Sequence, residues 1–168
     1  MESKTKVLGH ALHPMLVVFP LGLLGSGVVF DVVARLTKNP TFAKVGFWNL
    51  VGGVLGGLVA APFGWRDWFA LPQNTRAKGI GLVHGILNVM VVLMFAAIVW
   101  LRREDQDDVE SPLLMGEMVG MGLSVVGAWF GGELVDRLGV GVTPNAHLDA
   151  PSSLSDQPVT AVPIRHAE

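Results

Sequence analysis

The chain has 168 residues, 51% of them hydrophobic and only 15% charged, with a net charge of -2 and a mean hydropathy of +0.50. A soluble domain usually carries about 25% charged residues. This composition therefore points to membrane, and the lack of any basic block argues against a nucleic-acid partner. With no cysteine, disulfides, iron–sulfur clusters and thiolate metal sites supplied by this chain alone are excluded.

In chain order, the first apolar stretch runs from Met15 to Ala34 and carries Asp31 near its end. Lys4 and Lys6 ahead of it imitate the basic start of a signal peptide. His10, His13 and Pro14 interrupt the approach, however, the apolar run is long, and no clear small-residue cleavage site follows, so it reads as a retained helix. Pro14 suits the first helical turn. His13, placed just before a proline, is pushed away from helical geometry and is expected to cap the helix. Pro20 lies deeper and is expected to kink it.

The second stretch, Phe47 to Gly64, has no charge and is the shortest. The third, Gly79 to Leu101, has His84 and Asn88 as its main polar residues, and the fourth, Leu113 to Leu134, is broken by Glu117, Ser124 and Glu133. Each is near the roughly 20 residues that a helix needs to cross about 30 Å of hydrocarbon, and a single segment of this kind must be helical because lipid offers its backbone no partners. A soluble four-helix bundle would instead show a charged outer face at helical spacing, which these segments lack.

Short connections favour antiparallel neighbours. The expected fold is thus all-α: a four-helix transmembrane bundle, up-down-up-down, over residues 1–140, with a flexible tail over 141–168 rich in Pro, Ser and Asp. Such a chain is a multi-pass protein of the cell membrane, in contact with the lipid bilayer, with both termini on one side. Lys and Arg number six near the spans on that side and five on the other, counting Arg102 and Arg103 among the loop residues, too even for the positive-inside rule to set orientation.

Glycines pair at four-residue spacing in span two (Gly52 with Gly56, Gly53 with Gly57) and in span four (Gly116 with Gly120, Gly127 with Gly131). Such spacing lets helices approach closely, and a flat cofactor against a glycine-lined wall is the alternative use.

Ionisable groups inside a membrane are costly and point to function. Sorted by face, the terminus side collects His10 and His13, then Arg66 and Asp67 just past span two, His84 with Asn88 one turn deeper, and Glu133, Asp136 and Arg137. The opposite side holds Asp31, Asn49 and Glu117, where Asp31 is expected to accept hydrogen bonds from the start of span two. Two neutral imidazoles on different helices can ligate haem b iron from both sides. His13, His84 and Asp67 could instead hold a divalent metal, or histidine and carboxylate could relay protons. His10, His147 and His166 read as surface or structural histidines, and Arg66 as a snorkelling or phosphate-facing residue.

Several motifs in fixed order carry a family resemblance. They are His13-Pro14-Met-Leu-Val-Val-Phe19-Pro20, Phe30-Asp31, Gly64-Trp-Arg-Asp67-Trp68, His84-Gly-Ile-Leu-Asn88, Gly131-Gly132-Glu-Leu-Val135 and Gly139-Val-Gly141-Val142. Over residues 9 to 142 the chain resembles the bacterial predicted membrane proteins grouped as domain of unknown function 2231. That resemblance implies four membrane helices without an assigned activity. Relatives that carry the domain beside a Rieske-type iron–sulfur domain imply an electron-transfer setting. Two positions depart from the family pattern: Asp136 stands where Tyr is usual, and Val18 where a second histidine often follows. His13 and His84 are the family histidines that carry over.

Three readings follow. One is a membrane redox protein with haem b or a metal at the histidines and a redox partner or quinone. Another is a proton-coupled transporter component using His84, Asp67 and Glu133. The third is a non-catalytic membrane scaffold.

Overall fold

The structure, a computed structural model, describes residues 1–155 and 157–160. A two-residue antiparallel hairpin, β1 (Lys6–Val7) and β2 (His10–Ala11), opens the chain. Five helices follow: α1 (Leu12–Leu16), α2 (Val18–Thr37), α3 (Pro40–Ala70), α4 (Arg76–Arg102) and α5 (Ser111–Gly132), the last continued by a π-helical turn over Glu133–Arg137. Counting α1 with α2, and α5 with its π turn, four helices are long and apolar enough to cross a membrane. Beyond Leu138 the described residues contain no regular element, and the final residues, His166 among them, lie outside the described part.

Local chemistry explains the boundaries. The Asn39 side chain accepts a hydrogen bond from Thr41 N and Pro40 occupies the first turn of α3, while Thr75 caps α4 by accepting from Lys78 N. Lys38 sits in the left-handed region at φ 54°, which ends α2 and turns the chain at once into α3. α3 overruns the uncharged stretch at both ends, because nothing between Pro40 and Pro72 stops it and the interior Pro62 is absorbed. At about 1.5 Å per residue its 31 residues span roughly 46 Å, so Arg66 and Asp67 ride on its last turns and do not follow it. The proline-kink expectation takes the form of a break at Val17 between α1 and α2, one turn before Pro20, which has no N–H to offer Leu16.

α2 packs on α3, α3 on α4, α4 on α5, and α5 closes the ring on α2. The central layer consists of Leu24, Val28, Leu50, Val54, Val91, Phe95 and Ile98. Lipid is as apolar as these side chains, so close packing holds the layer together more than hydrophobic burial does. The glycines serve this packing: a Cβ at Gly53 would meet Leu24 at 2.6 Å, and one at Gly120 would meet Phe95 at 2.8 Å. The perimeter is the reverse of a soluble protein's, with Leu36, Leu93 and Met115 all more than 60% exposed.

Candidate functional site

Two polar centres lie on either side of the central layer, and each of the four spans runs from one to the other. On α4 the order is His84, then Val91, Phe95 and Ile98, then Arg102. On α5 it is Glu117, then Gly120 and Ser124, then Gly131.

At the terminus side His13 and His84 converge, with ring centroids 6.5 Å apart and planes at 89°. His13 does not cap a helix. It lies inside α1, whose N-cap residue Ala11 makes no side-chain capping bond. The one-turn helix, followed by the break at Val17, accommodates the pre-proline residue. Its Nδ1 lies 3.0 Å from the carbonyl oxygen of Ala60 on α3, and His84 Nδ1 lies 2.8 Å from that of Gly127 on α5. A carbonyl can only accept, so each Nδ1 donates its proton there, and in the neutral ring Nε2 keeps the lone pair with which imidazole binds a metal. One histidine is thus braced across α1 and α3, the other across α4 and α5.

Glycines make room for both rings. A Cβ at Gly64 would come within 2.7 Å of His13 Cε1, and one at Gly131 within 3.2 Å of His84 Cε1. These two glycines, unlike those of the central layer, seat a polar ring against bare backbone. Asn88 sits one turn below His84, donates from Nδ2 to the His84 carbonyl at 2.7 Å, and packs beside Gly127.

His13, His84, Asn88 and Asp67 share the wall of one largely apolar cavity of about 470 Å³, within the range typical of cofactor pockets, roughly 300–1,000 Å³. Asp67 is engaged elsewhere: its carboxylate accepts from Ser3 Oγ at 2.7 Å and from the Lys4 backbone at 2.6 Å, which fastens the N-terminal segment over the end of the bundle. Gly141 N donating to the Met1 carbonyl ties the same segment to the chain after α5. Just outside this clasp, the Lys6 ammonium beside Glu2 holds that carboxyl below its ordinary range.

The other predicted polar residues of this face do not line the cavity. His10 belongs to β2 and meets Ser153 at 3.2 Å. Glu133 pairs with Arg76 at 2.6 Å. Arg66 is exposed on α3, consistent with a snorkelling side chain. Among the described residues no group of three or more His, Cys, Asp or Glu side chains is arranged to hold a metal ion.

The second centre corrects two expectations. Asp31 does not accept from the start of α3. Its carboxylate receives both arms of Arg102, at 2.5 and 3.0 Å. Arg102, counted above as a loop charge, is the last residue of α4, and 2% of its surface is exposed. The same guanidinium reaches Glu117 on α5 at 3.1 Å and the Ala43 carbonyl on α3 at 3.2 Å. One side chain therefore ties all four spans. Asn49, grouped with these residues by sequence, lies apart and accepts from Ser26. The sequence signal for Arg102 is its position, one helical step beyond an apolar run whose neighbours on two other helices each hold a carboxylate at the same depth.

Four antiparallel membrane helices, with an imidazole pair near one face and a buried ion cluster near the other, define a membrane protein of the four-helix-bundle class. The chain belongs to the family described as predicted membrane protein (DUF2231), whose model matches residues 9–144. No curated protein and no solved structure matches it.

Proposed function

We propose that the cavity binds haem b, whose iron His13 and His84 would hold, and that the protein is an electron-transfer component of the membrane. The observation that carries this reading is the pair of imidazoles with Nδ1 turned to backbone carbonyls, their rings 6.5 Å apart in a mainly apolar cavity. Two imidazoles bound in line to one metal, at about 2 Å per bond, place their ring centres roughly 6 Å apart.

The donor set favours haem over zinc. A protein zinc site needs three or four protein ligands, whereas here two converge and Asp67 is occupied by the N-terminal segment. Haem brings its own four nitrogens and asks the protein for two. Gly64 and Gly131 let the two rings seat against bare backbone.

Haem would supply a one-electron Fe(III)/Fe(II) couple. This chain's residues do the rest: Ala60 and Gly127 fix the orientation of the two imidazoles, and the apolar wall excludes water. A proton relay across the bundle finds less support. Between the histidines and the Asp31 cluster lie Leu50 and Phe95, both with no exposed surface, and Ser124 there already donates to Gly120.

Titration of the purified protein with haemin tests the proposal. The expected result is one haem per chain with a sharp low-spin visible band on reduction. Binding no stronger than that of empty micelles, or an unchanged spectrum in a His13→Ala/His84→Ala double variant, would overturn it.

A further inference from the structure

The ion cluster on the far side of the central layer carries a charge that its bonds do not balance. Asp31 on α2 and Glu117 on α5 set two carboxyl groups against one guanidinium, Arg102, and none of the three is more than 2% exposed. With both acids ionised, a net negative charge would sit inside hydrocarbon, where a group without compensation neutralises instead. Among the described residues no other cation bonds to the cluster. Arg35 on α2 donates to Ser111 Oγ at 2.8 Å. Lys44 on α3 pairs with Asp107 at 2.8 Å. Arg103, just past α4, turns to Glu104 and to the Trp100 carbonyl. Glu110, at the start of α5, is exposed.

The bonding is as uneven as the charge. Asp31 spends both oxygens on Arg102, at 2.5 and 3.0 Å, and its carboxylate presses on the bare backbone of Gly46, where a Cβ would overlap it. Glu117 gives only Oε1 to Arg102, at 3.1 Å. Its Oε2 is buried and has no partner among the described residues, while its carboxyl group lies within hydrogen-bonding reach of Asp31. Two acids that share a site in this way strongly disfavour ionising together.

We infer that the cluster is a proton-binding site, in which Glu117 is held as the neutral acid and donates to the Asp31 carboxylate, locking the four spans together at this end. A proton is the ligand that fits. A metal cation such as calcium or magnesium asks for about six oxygen ligands, and here one free oxygen stands beside a fixed positive charge. A water molecule could bond to Oε2, or to the equally unpartnered Arg102 Nε, but would leave the charge unbalanced. Asp31, gripped by both arms of the guanidinium, is the acid that stays ionised, so Glu117 carries the proton. The folded chain then binds a proton that the unfolded chain gives up at neutral pH, and stability falls as pH rises.

The test reads the infrared spectrum of the full-length, haem-free protein in phosphatidylcholine nanodiscs, with every glutamate carbon-13-labelled at its side-chain carboxyl. An ordinary glutamate is ionised at neutral pH. The parent is nevertheless expected to show a protonated-carboxyl band there, moved by the label and lowered in D2O. This reading does not depend on any variant folding. Glu117→Gln, whose amide N–H stands in for the acid proton, should abolish the band and keep the parent's thermal midpoint at neutral pH, whereas Asp31→Asn should lower it. Raising the pH should lower the parent's midpoint by at least about 3 °C more than that of Glu117→Gln, the shift expected for a tenfold gain in proton affinity on folding. Absence of the labelled band at neutral pH would overturn the inference. So would better tolerance of Asp31→Asn than of Glu117→Gln, or a midpoint raised by sodium but not by choline at fixed pH.

Discussion

Replacing Arg102 with alanine is expected to cost about 3–5 kcal/mol of stability, the usual penalty for removing one partner of a buried ion pair. The reason is charge as much as bonding. Asp31 and Glu117 have no exposed surface, and among the described residues the Arg102 guanidinium is the one cation bonded to both. Without it two carboxyl groups face each other in hydrocarbon, and the Ala43 carbonyl loses its side-chain donor. In detergent the thermal midpoint should fall by on the order of 10 °C, taking roughly 2–4 °C per kcal/mol for a chain of this size. Arg102→Lys should rescue little, because an ammonium cannot present the two-pronged fork that Asp31 receives. The apolar triple variant Asp31→Leu/Arg102→Met/Glu117→Leu should be more stable than Arg102→Ala, since no charge is stranded. A single variant as stable as the parent would show that the cluster does not hold the spans together.

His84→Ala is expected to weaken haem binding more than a hundredfold. Loss of an outer-shell partner alone typically costs 10–100-fold, and here the ligand itself goes. His13→Ala should have an effect of the same order, because the two rings are braced alike, each on a carbonyl of a helix other than its own. The folded bundle should survive both changes, as neither histidine belongs to the central layer. Gly64→Ala probes the same geometry more gently. Its methyl group would press on the His13 ring and should weaken binding by displacing the ligand, with an overpacking cost of about 1–3 kcal/mol. Haem binding that is indifferent to all three variants would place the cofactor elsewhere or nowhere.

Much of this arrangement is legible in the amino-acid order, for physical reasons. Length and hydropathy announce the four spans because a bilayer imposes one thickness on every helix that crosses it. His84 and Asn88 fall on one face because residues four apart always do, and the family motifs bring His13 to the same end. The buried role of Arg102 was hidden. A cation at the end of an apolar run looks like a membrane-surface anchor, and only the partners contributed by α2 and α5 reveal that it turns inward. The ends of α3 were equally obscure, since the charges of Arg66 and Asp67 mark where the apolar run stops and say nothing of where the helix does. The bonds of Asp67 to Ser3 and Lys4 join residues more than 60 positions apart, beyond the reach of any spacing rule.

The crossed imidazole planes, at 89°, give the central claim its most direct test: a low-temperature electron paramagnetic resonance spectrum of the oxidised, haem-loaded protein. Axial imidazoles held perpendicular produce a strongly anisotropic low-spin ferric signal. That signal, lost in His84→Ala, is the predicted result. A high-spin ferric signal, or a folded protein that carries no iron after exposure to haemin, would contradict it.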